Sequence, residues 1–315
     1  MKSLVVNQAN LDNQRNAVQE ERRLSIDNEP YGKSELEIDN LAYDNFGYKH
    51  STIGEMRDLD AASVDDVKNF FRAPDSAVLA IVGDVDPDEA MEKVKQYFGS
   101  IASQPAPPPV DVSEPQHYGE RREVTVDPLA RLPMVLIAYR IPPGNTPDNY
   151  ALRVLGDILG SGHSSRFYQH LVKERELASD ISVQTDARRG PSVMYVQAAP
   201  RQGVKTEVLE AAIYDEIAQI QKEGITETEI EKVRRQSLRA QINRRQEDLE
   251  IANRIGQYAV YFNEPNLINT VYDKYSSITA EQVMQVANKY LVQTERTVLT
   301  TLPGVKSSEP KASTN

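Results

Sequence analysis

The sequence predicts an α+β protein of two homologous domains, each a largely antiparallel sheet with helices packed on one side, the first domain being incomplete. Three observations lead there. The 315-residue length suits two domains. Elements of the same kind recur at a long offset: Phe46 aligns with Phe262 (262 − 46 = 216), Val67 with Val283 (283 − 67 = 216) and Val78 with Val298 (298 − 78 = 220). Finally, strand-like runs come in pairs with helical stretches segregated between them. A repeat of this length means two copies of one domain rather than a solenoid. The second copy begins near Arg122, so the same offset puts the start of the first roughly 95 residues before Met1.

The elements follow in order. Leu11 to Arg23 has the spacing of a helix with Leu11 and Val18 inward. Pro30 and Gly32 punctuate it, and Ser34 to Tyr43 is a second helical stretch. Asp60 to Phe71 is helical and ends before Pro74, and Ala77 to Val82 is an apolar run of strand length closed by Gly83. Pro87, Asp88 and Glu89 open a helix reaching Phe98. The proline-dense stretch from Pro105 to Pro109 suits an extended connector.

The second copy starts with strands at Glu123 to Val126 and Met134 to Arg140, then a helix from Pro147 to Leu159. A loop at Gly160 to Ser165 precedes a helix to about Glu176, and strands follow at Asp180 to Thr185 and Ser192 to Ala198. Long helices occupy Val204 to Glu223 and Glu227 to Arg245, a shorter one contains Tyr258 to Phe262, and a final helix and strand repeat the end of the first copy. The expected organisation is therefore 1–101 for the incomplete first domain, 102–118 for the linker, 119–305 for the second domain and 306–315 for a disordered tail. An incomplete first domain leaves apolar faces uncovered, so self-association is expected.

Composition narrows the function. A net charge of −11 argues against a nucleic-acid surface, which needs clustered Lys and Arg. Arg234-Arg235 and Arg244-Arg245 sit among opposite charges a turn apart and read as a solvated helix face. With no cysteine there is no disulfide framework, thiolate metal site or thiol nucleophile. No run approaches the roughly 18 apolar residues of a membrane span. The compartment stays open between bacterial periplasm and cytoplasm, with the cysteine-free, Asn-, Gln- and Tyr-rich composition leaning to the periplasm.

Four histidines are present, His50, His117, His163 and His170, and none forms H-x-x-E-H. His170 and Glu174 are four apart on a helix, but two ligands fall short of the three a zinc site needs, and Lys173 and Arg175 oppose a cation. There is no G-x-S-x-G elbow and no P-loop. Gly160-Ser161-Gly162 lacks a phosphate-binding lysine and reads as a chain reversal.

Two stretches resemble the M16 zinc metallopeptidases, the pitrilysin, insulinase and mitochondrial-processing-peptidase type. Asn13 to Arg23, N-Q-R-N-A-V-Q-E-E-R-R, resembles the helix that supplies the third zinc ligand through E-R-x-x-V-x-x-E. Ser164 to Ala178, S-S-R-F-Y-Q-H-L-V-K-E-R-E-L-A, resembles the signature of the second domain after its glycine-rich loop. The run from His50, H-S-T-I-G-E-M-R-D-L-D-A-A-S, and the Val82-Gly83-Asp84 strand end also fit. The resemblance spans Leu11 to Pro303 and implies that Glu21 is a zinc ligand. It also implies that the H-x-x-E-H helix, roughly 75 residues before that ligand, falls ahead of Met1. Gln14 replaces an auxiliary glutamate, and the Arg and Tyr that orient substrate in this family fall at Val172 and Ser179. The implied protein is a fragment or subunit of a zinc-dependent endopeptidase that takes extended peptides into a closed chamber. It would be inactive alone and paired with a second M16-like subunit supplying the Arg/Tyr pair. The alternative is a non-catalytic peptide-binding or scaffolding subunit of an M16-type heterodimer.

Overall fold

The computed structural model describes residues 4–72, 77–102 and 108–304. Its organising element is a five-stranded sheet made of β1 (Arg121–Asp127), β2 (Met134–Ile141), β3 (Ala178–Asp186), β4 (Ser192–Pro200) and β5 (Arg296–Pro303), in the order β1-β5-β2-β4-β3. Only the β1–β5 pair is parallel; β5–β2, β2–β4 and β4–β3 are antiparallel. The mixed α+β class with a largely antiparallel sheet is as the sequence predicts.

The central strand explains the layering. Every residue of β2, Met-Val-Leu-Ile-Ala-Tyr-Arg-Ile, is buried, so this strand is covered on both faces. Val135, Ile137, Tyr139 and Ile141 point into the larger core, which is closed by α7 (Pro147–Gly160), α8 (Thr206–Glu223), α9 (Glu227–Arg244) and α12 (Ala280–Tyr290). Leu155, Leu159, Leu209 and Ile213 are fully buried there, each contributing about 1.5–3 kcal/mol. Leu136 and Ala138 face the other way, into a smaller core with Val193 and Leu299.

That second face is covered from the first half of the chain. Ile38, Ala42 and Tyr43, on and just after α2 (Gly32–Ala42), complete the smaller core. The Ser34 and Thr301 hydroxyls meet at 2.7 Å, tying α2 to β5. Before α2 lies α1 (Gln8–Arg22), which runs into a π-helical turn at Arg23–Asp27.

The remaining elements of the first half are α3 (Phe46–Lys49), α4 (Met56–Ala61), α5 (Val64–Arg72) and α6 (Pro87–Phe98). The single helix expected from Asp60 to Phe71 is two. Ser63 interrupts it by exchanging bonds with Asp66: its Oγ and backbone N reach the carboxylate at 2.7 and 2.9 Å, and it caps the amide of Asp66. The strand expected at Ala77 to Val82 is not formed. Among the described residues nothing pairs with this run, and Val78, Leu79 and Ile81 are about half exposed (47, 57 and 48%). Its counterpart in the repeat, β5, is a strand because β1 and β2 flank it and satisfy its backbone.

The sequence also passed over α11 (Leu267–Ser276), between α10 (Asp248–Phe262) and α12. Pro105 to Pro107 and the 306–315 tail lie outside the described residues; Pro108 and Pro109 are irregular.

Candidate functional site

The helix carrying Glu21 is held by polar side chains on one face. Arg15, Gln19 and Arg22 recur at i, i+4 and i+7, so they share a side of α1. Arg15 donates to the carbonyl oxygens of Leu59 (2.8 Å) and Ala62 (2.5 Å) and to Asp12 (2.7 Å). The Gln19 amide donates to Asp60 at 2.7 Å. Arg22 is buried, donating to the Gly54 carbonyl and, at 3.2 Å, to the Glu55 carboxylate. The receiving segment, 54–62, belongs to the run from His50 that matched alongside α1. The two stretches therefore pack on each other.

Glu21 is one residue from Arg22 and about 100° round the helix, so it turns away from this contact. It is exposed, in line with Gln14 two turns earlier, which is exposed too. The arrangement fits a side chain offered outward. A zinc site requires at least three protein ligands. Among the described residues no group of three His, Asp or Glu gathers at Glu21. The described residues of this chain alone do not make up a complete zinc centre there.

Val172 and Ser179, where the resemblance puts the Arg/Tyr pair, make structural contacts. Val172 packs half-buried against the main core. Ser179 sits at a bulge in β3 and donates to the carbonyls of Ala199 and Pro200. His170 does not share a ligand with Glu174. Its Nδ1 lies 2.6 Å from the buried Glu216 carboxylate, and its carbonyl accepts from Arg175, closing the π-turn at Tyr168–Glu174. Gly160 is explained by packing rather than anion binding. An added Cβ would stand 2.5 Å from the Val183 backbone nitrogen, so α7 lies directly against β3. Gly162 has φ +71° and makes the chain reversal.

One feature went unread in the sequence. On the sheet face that α2 covers only partly, a cavity of about 280 Å³ is lined by Asp39 and Arg188 together with polar side chains of β3 and β4. Arg188 donates to Asp186 and Asp39, both at 2.8 Å, and to Tyr195 at 3.1 Å, while its guanidinium lies 4.9 Å from the Tyr43 ring centroid. Burial, together with the Asp39 carboxylate, raises the Tyr195 phenol and keeps it protonated, a donor to Asp39. These residues are separated by up to 156 positions, so no local motif signals them. Beside the cavity runs β3, last in the strand order, with Ser182 and Gln184 exposed.

The sheet carries four helices on one face and α2 on part of the other, with α1 docked through its arginines ahead of α2. A crystal structure of a Helicobacter pylori protease superposes with a TM-score of 0.88 at 26% identity, over 95% of this chain and 74% of that one. The M16 inactive domain from Pseudomonas fluorescens superposes at 0.83 and 18% identity, over 96% and 72%. The family profile described as "Peptidase M16 inactive domain" matches residues 61–237, more than half the chain, so the protein belongs to the M16 peptidase family. Among curated relatives, the zinc protease PqqE of Helicobacter pylori is 28% identical over 291 residues. That match covers 91% of this chain but 65% of the relative, so the chain spans under two thirds of its length.

Proposed function

We propose that this chain is the portion of an M16-type zinc endopeptidase that contributes Glu21 as the third zinc ligand, together with the inactive domain that encloses the peptide. The H-x-x-E-H helix, with two histidine ligands and the general base, is not among these residues, so the chain alone does not cleave peptides. A second M16-like subunit supplies the Arg and Tyr absent at Val172 and Ser179. The observation that carries this reading is the docking of α1: Arg15, Gln19 and Arg22 are consumed by the 54–62 segment while Glu21 stays exposed. An extended peptide would pair along the outer edge of β3, last in the strand order among the described residues, where main-chain bonds give affinity with little sequence demand.

The test is a chain extended to include H-x-x-E-H, assayed for bound zinc and for cleavage of a quenched fluorescent peptide. Glu21→Gln is expected to lower both, turnover by at least about 100-fold. Zinc content and turnover equal to the parent would remove the ligand assignment. The second reading, a peptide-binding or scaffolding subunit without catalysis, is favoured by Val172 and Ser179. It predicts peptide binding that persists unchanged in Glu21→Gln, with no cleavage in any extended form.

A further inference from the structure

Away from α1, one buried histidine has a ring nitrogen without a hydrogen bond. His117, in the extended segment that leads into β1, has only 4% of its side chain exposed. Its Nε2 makes no hydrogen bond. That atom faces two carboxylates, Asp44 Oδ2 at 3.4 Å and Glu114 Oε1 at 3.7 Å. The three donor atoms lie within 4.8 Å of one another.

We propose that Asp44, Glu114 and His117 form a site for a divalent cation of the zinc class, clipping the turn after α2 to the segment entering β1. One imidazole nitrogen with two carboxylate oxygens is a donor set such ions accept. Tetrahedral bonds of 2.0–2.2 Å place donors roughly 3.3–3.6 Å apart, and two of the three separations are close to that already. Backbone amides hold Glu114 in a fixed orientation, its two oxygens accepting from Asp44 and Asn45 at 2.8 and 3.0 Å. Asp44, 45% exposed, leaves one side open for entry and for a water as the fourth ligand.

The charges facing His117 are Arg121 and Arg140 besides the two carboxylates. Burial first, then these guanidiniums, lower the imidazole pKa below its ordinary value, which leaves the ring neutral and able to ligate at pH 7. Arg121 bonds Asp44 and Arg140 lies 3.4 Å from Glu114, so both compete with a cation. Each has another acceptor if its carboxylate turns to metal. Arg121 also donates to the Leu41 carbonyl (2.9 Å), and Arg140 to the Pro115 carbonyl (2.8 Å) and Glu295 (3.1 Å). Their presence weakens the site without dismantling it.

The test is a cobalt(II) titration of the tag-free, metal-stripped chain followed by visible absorption. The expected result is one equivalent giving the intense ligand-field bands of four- or five-coordinate cobalt, displaced by zinc and lost as pH falls and His117 protonates. His117→Ala and, separately, Asp44→Asn should each weaken binding at least tenfold. Circular dichroism checks folding, and the half-exposed Asp44 carries the test if His117→Ala unfolds. Glu21→Gln should leave the titration unchanged, which separates this site from the zinc ligand proposed on α1. Only weak octahedral bands, binding retained in both variants, or binding lost in Glu21→Gln and kept in His117→Ala would each overturn the proposal.

Discussion

At Gly160 an added methyl has nowhere to go. It would meet the Val183 backbone nitrogen, Cγ2 and Cβ at 2.5–2.6 Å, and backbone cannot step aside as a flexible side chain can. Gly160→Ala is therefore expected to cost about 1–3 kcal/mol, read as a lower urea midpoint with an unchanged m-value; a midpoint equal to the parent would mean that α7 and β3 are not so closely apposed. Glu21 is the opposite kind of residue, exposed and without structural employment that its side chain reveals. The ligand role proposed for it rests on resemblance alone, because periodicity places a residue on a face but does not say what that face meets. His117 illustrates the same limit: its two carboxylate neighbours are 73 and 3 residues away in sequence, so only the fold brings all three together.

Elements with local signals were read well. Thr226 with Glu229 and Thr279 with Gln282 open α9 and α12 with both reciprocal bonds present, a local signal that went unread in the sequence. The Pro147 start of α7 and the Pro87 start of α6 stand where the sequence put them. Pairing across the chain was not legible, as the Ala77 to Val82 run shows: an apolar segment becomes a strand only where neighbours accept its backbone. The start of α9 also carries an interaction with a pH signature. Arg166 donates to Glu229 at 2.5 and 2.9 Å. Burial pushes the Glu229 carboxyl up, but Arg166 and the Thr226 amide and hydroxyl outweigh it and bring the pKa down to about 2 from the ordinary 4.5. The folded-state value lies below the unfolded one, so the stabilisation is full above about pH 4.5 and disappears as pH falls through about 2. Arg166→Met should cost about 2 kcal/mol at pH 7, and the difference from the parent should shrink across that window. A difference independent of pH would mean that Arg166 acts through packing alone.

For the whole molecule, the repeat sets the expectation. The segment matching the buried strand β5 instead exposes Val78, Leu79 and Ile81, and α6 beside it exposes Met91, Tyr97 and Phe98. Leu79, Ile81, Tyr97 and Phe98 line one surface groove, and exposed apolar side chains gathered in this way promote association. Light scattering of the chain in isolation should show mass rising with concentration, reduced by Leu79→Lys with Ile81→Lys; a monomer at all concentrations would contradict this. Among the described residues no helix is long and apolar enough to cross a membrane. The fold class and most elements were present in the sequence as period and punctuation. The cavity beside Arg188 and the cluster at His117 were not, because each joins residues far apart in the chain, Asp39 with Arg188 and Asp44 with His117.

In the proposed function, α1 delivers Glu21 to a zinc ion whose other ligands come from an H-x-x-E-H helix. The most direct measurement is a crystal structure of the chain extended through H-x-x-E-H, with anomalous data at the zinc edge. The expected result is a single zinc with a Glu21 carboxylate oxygen at roughly 2.0–2.2 Å. A zinc fully coordinated by other residues, with Glu21 pointing to solvent, would contradict it.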